Sequence, residues 1–298
     1  MPNPLLPKID TQGTLNVSAL LASPTKLNDV LAKLTAEQLV MDAFFNPIPS
    51  GVSGGGVVYG VLKHGSNYLA RDTELRAPGA EYIVSGSDMP MDLAVPQDWG
   101  SKIQILDEHR DRCDAITLAN KLIQLSNTIA RKIDQVALAA VDAALTKHTI
   151  APLPGHDWSA LVTVGPDTSL TPNANRPTAD FANANLSAVM DDIGIKGLDT
   201  LVCHPQEHAR LKIGYGTELA AVLASAGIAK VRPSVLVTPG TAYLVESGLV
   251  GRVAFERPMT TEVIDDRHHR AQWIQSYAVP AFAVSKPGGA RKITGLAG

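Results

Sequence analysis

Cysteine is nearly missing. Cys113 and Cys203 are the only two in 298 residues, too few for a disulfide framework, so a reducing compartment and thiols that simply pack are expected. Aromatic residues reach only 5%, and a platform for stacking nucleic-acid bases is therefore not expected. Charge of one sign is not in excess either: 26 Lys and Arg stand against 29 Asp and Glu, a net charge of −3. A dedicated nucleic-acid reader carries a strongly basic face. No run approaches the roughly 18–20 uninterrupted apolar residues of a membrane span, and MPNPLLPKID has neither a basic start nor an apolar core, so membrane insertion and secretion are not expected. What is present is a globular balance, 45% hydrophobic and 18% charged. That length is enough for one large or two modest domains with their own cores.

Read along the chain, the first residues, to about position 22, are rich in Pro, Asn, Ser and Thr and predict an extended arm that needs a surface to lie on. Ser23-Pro24 then offers a cap and a first helical residue, and Leu27, Val30, Leu31, Leu34 and Leu39 recur at helical spacing until Asn46-Pro47. Gly54, Gly55 and Gly56 predict a hinge. Residues 57–105 read as a long hairpin, with Pro78-Gly79 in the positions of a type II turn and a tip too polar to fold back on its own subunit.

The strongest periodicity runs from Arg112 to Lys147, where Ile116, Leu122, Ile129, Ile133, Ala137, Val141 and Ala144 return at steps of three and four without Gly or Pro. The pattern predicts a helix of about 54 Å. Farther on, a short strand is expected at Ala160–Val164. A helix capped by Thr178 is expected to bury Ala182, Leu186, Val189, Met190 and Ile193 and to end at Gly194. A buried strand at Thr200–Cys203 and short helices from Pro205 and Thr217 follow. The remaining strands are predicted at Val235–Thr238, Tyr243–Glu246, Leu249–Phe255, Thr261–Asp265 and Arg270–Val279.

Four groups of residues invite a chemical reading. His204-Pro205-Gln206-Glu207-His208 satisfies the H-x-x-E-H pattern of inverted zinc metalloproteases. Pro205 favours the first turn of a helix, which makes His204 a cap and argues for a plain strand-to-helix junction. Asp265, Asp266, His268 and His269 fit a hairpin turn better than an acid–base or metal site. No phosphate loop, dinucleotide fingerprint or nucleophile elbow is present. Lys286, Arg291 and Lys292 read as a solvated basic end, with contact to DNA or a neighbouring subunit as the rival reading. Arg76 and Glu81 bracket the Pro78-Gly79 turn and are candidates for inter-subunit ion pairs.

Arg76-Ala77-Pro78-Gly79-Ala80-Glu81-Tyr82, the Ile103–Asp107 strand leading through Glu108 and Arg110 into the long helix, Leu201-Val202-Cys203-His204-Pro205, and an ending with Trp273, Pro280, Pro287 and Ile293-Thr294-Gly295 carry a resemblance. Together they resemble a major capsid protein of tailed bacteriophages infecting actinobacteria. The resemblance implies an α+β tailed-phage capsid fold: an N-terminal arm with a short helix (1–50), an E-loop hairpin region (51–108), a P domain (109–194) with its spine helix at 112–147, a mixed α/β A domain (195–255), and a return to the P domain with the tail (256–298). It implies no enzyme activity and no cofactor or metal. Subunits would form hexamers and pentamers of an icosahedral shell in the virion, assembled in the host cytoplasm around double-stranded DNA held by weak, non-specific contact. Scaffolding, portal and decoration proteins are further partners. Arg76, Glu81 and Lys102 are the expected inter-subunit contacts, and Gly54–Gly56 the hinge. A cleaved scaffolding segment of about a hundred residues does not fit ahead of the hairpin. A weld between a hairpin lysine and a late asparagine is not available, because no Asn follows Asn185, although Lys63 and Lys102 lie near the loop. Two alternatives remain: an encapsulin-type compartment shell with the same fold, and a zinc hydrolase built on His204 and His208.

Overall fold

The computed structural model describes residues 39–52, 54–87, 89–108 and 115–297. The chain forms β1 (Phe45–Pro47), β2 (Val57–Gly60), β3 (Met91–Ala94), β4 (Trp99–Leu106), α1 (Ala115–Lys147) and β5 (Leu153–Pro154). It continues through α2 (Pro177–Met190), β6 (Thr200–Cys203), α3 (Pro205–Tyr215), α4 (Leu219–Ser225), β7 (Lys230–Pro233) and β8 (Thr241–Val245), then β9 (Gly251–Asp266), β10 (Ala271–Ala283) and β11 (Ala290–Thr294).

α1 runs for 33 residues, about 50 Å at the helical rise. Its stripe of Leu122, Leu125, Ile129, Ile133, Ala137 and Val141 is buried in one core with Ile105, Val253, Ile274 and Ala278 of a four-stranded sheet ordered β1-β9-β10-β4. The alanines let the sheet approach closely. Phe44 and Phe45 close one end of this core, Phe44 edge-on to Tyr243 at 5.9 Å and Phe45 against Phe282 at 5.0 Å. A second core lies around the five-stranded sheet β5-β11-β8-β6-β7, where Trp158 meets Phe181 edge-on at 5.5 Å beside Leu201, Leu211, Leu244 and Ile293. In that sheet β11 lies between β5, to which it is parallel, and β8, to which it is antiparallel. β2 and β3 form a separate two-stranded ladder from Val57↔Ala94 to Gly60↔Met91, the base of the expected hairpin.

Several expectations are corrected. The helix expected to reach Asn46 is, over its described end, a 3-10 turn at Met41–Ala43 followed by β1. Phe44 and Phe45 are both buried, and Phe45 starts β1, paired with Gly251 of β9. The arm and the rest of that helix lie outside the described residues, as do Cys113, Arg110 and the first turn expected for α1.

The strand expected at Ala160–Val164 is replaced by a 3-10 turn at Trp158–Ala160, capped by the Asp157 carboxylate on the Ser159 amide, and an irregular loop. Val235–Thr238 is turn, braced by the Leu236 amide on the Ser234 hydroxyl at 3.3 Å, and the strand sits earlier as β7 beside β6. The two strands expected on either side of Pro258 are one 16-residue strand, β9. Register shifts opposite Tyr277–Pro280 place Pro258 in a bulge, where its missing N–H costs no ladder bond. In α2, Arg176 and not Thr178 stands at the cap with Pro177 following. The buried face of α2 is Asp180, Phe181, Ala184 and Ala188, while Leu186, Val189 and Met190 point outward; of the expected apolar set only Ile193, beyond the helix, is buried.

Candidate assembly surfaces

The hairpin projects from the body. Beyond Gly60 the described residues between 61 and 90 form no further strand, although Ala70 N–H still reaches the Gly86 carbonyl at 2.9 Å and Arg71 N–H the Ser85 hydroxyl at 2.8 Å. At the tip, Ala80 N–H closes on the Ala77 carbonyl at 3.0 Å and Gly79 has φ +85°, the expected type II turn. Arg76 donates to the Ala80 carbonyl at 2.8 Å and lies over the Tyr82 ring at 4.7 Å. It therefore stiffens the tip, while Glu81 is exposed. Leu75, Val84 and Tyr82 point into solvent at 103%, 90% and 75% relative exposure. Apolar side chains so placed lose nothing by leaving their own subunit.

The root of the hairpin is held tightly. Tyr68 O–H donates to Asp192 at 2.6 Å, the His64 ring meets the Asp191 carbonyl at 3.0 Å, and Leu62 N–H donates to the Ser285 carbonyl at 2.8 Å. Lys147, at the end of α1, pairs with Asp92 of β3 at 2.6 Å and holds its carboxyl below the usual range. Of the glycines expected to form a hinge, Gly54 and Gly55 adopt φ +83° and +81° with open space around them, a backbone that other residues adopt only with strain. Gly56 differs: a side chain there would meet Leu93 at 2.8 Å.

Lys102 stands on the edge strand β4, its ammonium 4.7 Å from the centre of the Trp273 ring. It lines a shallow polar groove with Asp98, Arg257, Glu262 and Tyr277, in which the Tyr277 hydroxyl donates to Glu262 at 2.8 Å. Arg76 and Glu81 share the hairpin tip, and Lys102 belongs to the sheet.

The H-x-x-E-H residues form the strand-to-helix junction. His204 caps α3, its Nδ1 accepting from the Gln206 amide at 3.3 Å, and Pro205 is the first helical residue. Glu207 is fully buried and committed: Oε1 accepts from Gly240 N–H at 3.0 Å and from Arg210 at 3.3 Å. It pins the helix to the turn before β8. His208 is held below its usual pKa by burial and then by Lys212. Among the described residues no group of three or more His, Cys, Asp or Glu is arranged to hold a metal ion. Burial, then the Glu207 carboxylate, pushes the Cys203 thiol up to about 12, which removes it as a nucleophile at neutral pH. Asp265 and Asp266 are the last residues of β9, and His268 and His269 lie in the turn 267–270 that leads to β10. Asp266 receives the Trp273 indole N–H at 3.2 Å and the His269 ring at 2.9 Å, and is drawn down to about 2.

The basic end is corrected. Arg291 is buried, donates to the Ser187 carbonyl at 3.0 Å and pairs with Asp191. Lys292 pairs with Asp142 at 3.0 Å, over the Tyr243 ring. These charges tie β11 to α2 and α1 and are not a solvated tail.

Two features escaped sequence reasoning. The outward face of α2 carries Leu186 and Met190, 61% and 67% exposed; its periodicity was visible, but a helix apolar on both sides does not say which side the core takes. The other is Asp134 on α1, which accepts from the amides of Val40 at 3.0 Å and Met41 at 2.9 Å. Its signal was a charge one turn from apolar Ala130 and Ala137, inside the buried stripe.

Residues 90–293 match the family model described as phage capsid protein. Among solved structures the chain is similar to a virus-like particle from Pyrococcus furiosus, with TM-score 0.60 and 10% identity over 90% of this chain and 98% of that one. It is similar also to a structure from Mycobacterium phage Bobi, with TM-score 0.56 and 12% identity over 88% and 89%. The capsid structure of cyanophage P-SCSP1u follows, with TM-score 0.57 and 11% identity over 86% of each chain. At such identities the likeness is one of fold. No curated protein sequence matches. With the long helix laid on one sheet, the projecting hairpin and the second α/β layer all in place, and the family model spanning most of the chain, this protein belongs to the phage capsid protein family.

Proposed function

We propose that the chain is the major capsid protein of a tailed bacteriophage of actinobacteria, assembling through hexamers and pentamers into an icosahedral shell around double-stranded DNA. The observation that carries this reading is the hairpin: residues 61–90 present Leu75, Tyr82 and Val84 to solvent on a finger whose root is fixed by Tyr68, Lys147 and their partners. A monomer gains nothing from such an arm. A lattice buries it, and specific interfaces of roughly 800 Å² per partner supply the binding energy. The role is structural, not catalytic.

In this reading the arm is 1–50, the E-loop region 51–108, the P domain 109–194 with 256–298, and the A domain 195–255. Gly54 and Gly55 let the hairpin take different angles in non-identical lattice positions. Arg76 at the tip and Lys102 on the exposed edge strand meet neighbouring subunits. Scaffolding, portal and decoration proteins are partners from the same virion, built in the host cytoplasm. DNA is held weakly, as suits a net charge of −3.

Likeness to the virus-like particle favours a second reading, a shell that encloses something other than a genome. Size exclusion and electron microscopy of the expressed chain test the first step: closed particles of megadalton mass are expected, and a 30 kDa-class monomer at every concentration overturns both readings. Nucleic acid inside particles purified from infected cells, resistant to nuclease, separates the first from the second.

A further inference from the structure

A half-enclosed cavity of about 530 Å³ lies where the hairpin meets the body, between the hairpin root, the end of α1, the C-terminal end of α2 and β11. Its polar lining is one-sided. Lys63 and His64 enter from the hairpin, His148 from the residue after α1, and Arg291 from β11. Of the carboxylates, Asp191 lines the cavity and is already paired with Arg291, and Asp92 stands 4.0 Å from His148 Nε2. Lys63 makes no ion pair among the described residues, and its charge depresses the pKa of His148, after burial. The His148 side chain is 6% exposed with Nδ1 unpartnered, and the Arg291 side chain is 5% exposed with Nε unpartnered. Buried polar nitrogens left without partners are costly, and the positive charge here comes from Lys63 and Arg291, with the two imidazoles able to donate beside them.

We propose that this cavity is a binding site for a compact oxyanion of the phosphate class, held by Lys63 and His64 on the hairpin side and by Arg291 and His148 on the body side. The half-enclosed shape admits a free or terminal phosphate more readily than a phosphodiester in a duplex. Because the donors come from both sides of the hairpin root, a bound anion joins the finger to the body and fixes its angle. The site stands independently of the shell reading, since it is complete within one chain.

Thermal unfolding and limited trypsin digestion of the full chain, with inorganic phosphate against chloride at equal ionic strength, test it. In phosphate at about ten times its dissociation constant the unfolding midpoint is expected to rise by about 2–4 °C, and cleavage at the exposed hairpin arginines Arg71 and Arg76 to slow. Lys63→Ala, at an exposed position, is expected to leave the phosphate-free midpoint unchanged and to weaken the response about tenfold. His64→Ala is the second variant and should act in the same direction. A phosphate response of the same size in wild type and both variants overturns the site. So does the absence of any response at 20-fold the dissociation constant of a typical millimolar site, on the order of 20 mM. Protection by a short DNA duplex with none by phosphate overturns it as well, because it assigns the charge to a groove for the diester backbone.

Discussion

Asp134 is 4% exposed on the buried side of α1, yet among the described residues its carboxylate is answered by two main-chain amides and no cation. Burial pushes its carboxyl up to about 6, with the Val40 and Met41 amides pulling the other way. The folded protein thus takes up a proton here before the unfolded chain does. Stability from this residue is full below pH of about 4 and is lost as pH rises through about 6. Asp134→Asn keeps an acceptor for the amides and removes the titration: the variant is expected to show a flatter rise in unfolding midpoint between pH 7 and 5 than wild type, read by calorimetry. A parallel pair of curves would show that the Asp134 carboxyl stays ionised in the folded protein over this range and is not shifted up. The bonds also anchor the Val40 and Met41 main chain on α1, a charge serving direction more than stability.

At the scale of the element, α1 and α2 divide the labour. α1 spends its apolar stripe inside the subunit, and truncating Ile133 to Ala is expected to cost about 2–4 kcal/mol of unfolding free energy in a denaturant titration. α2 buries Phe181 with Ala184 and Ala188 and shows Leu186, Val189 and Met190. Leu186→Glu is expected to change subunit stability by no more than about 0.5 kcal/mol while reducing particle yield in sedimentation; undiminished particles would remove this face from the assembly contacts. The contrast explains what was legible. α1 has one apolar side and uninterrupted helix formers, so local pattern and tertiary use agree. α2 has two apolar sides, and Phe181 with Ala184 and Ala188 fits beneath β11 where Leu186 would not, a choice made by neighbours distant in sequence. Pro258 broke β9 in sequence but not in space, because its bulge depends on the register of β10. The His204 cap and the Pro78-Gly79 turn were readable because their physics is local. Arg291 and Lys292 were not, since their carboxylate partners, Asp191 and Asp142, lie far back along the chain.

For the whole molecule, the hairpin and the body are separable in stability and joined in purpose. Replacing residues 66–86 by a short Gly-Ser loop removes no member of either main core, so the unfolding midpoint of the free subunit should stay within a few degrees while particles fail to form by electron microscopy. Normal particles from that variant would sink the assembly role of the finger. Wild-type particles boiled in detergent should run as a single band at 31.5 kDa, the mass of one chain, because the Lys–Asn weld lacks its asparagine. A ladder of multiples would reveal a covalent link of another kind.

The place of β11 has a consequence for the order of events in synthesis. β5 is made early and has nothing to pair with until β11 arrives and slips between it and β8. β1 likewise waits for β9, its parallel partner at Phe45↔Gly251. Both sheets are therefore completed by strands drawn from opposite ends of the sequence, and such long-range closures are slow. A nascent chain does not have its finished surfaces while β11 is still to be translated. In the shell we propose, competent subunits then enter the pool at the pace of this final strand insertion, which keeps their concentration low and favours the growth of particles already begun over the start of new ones.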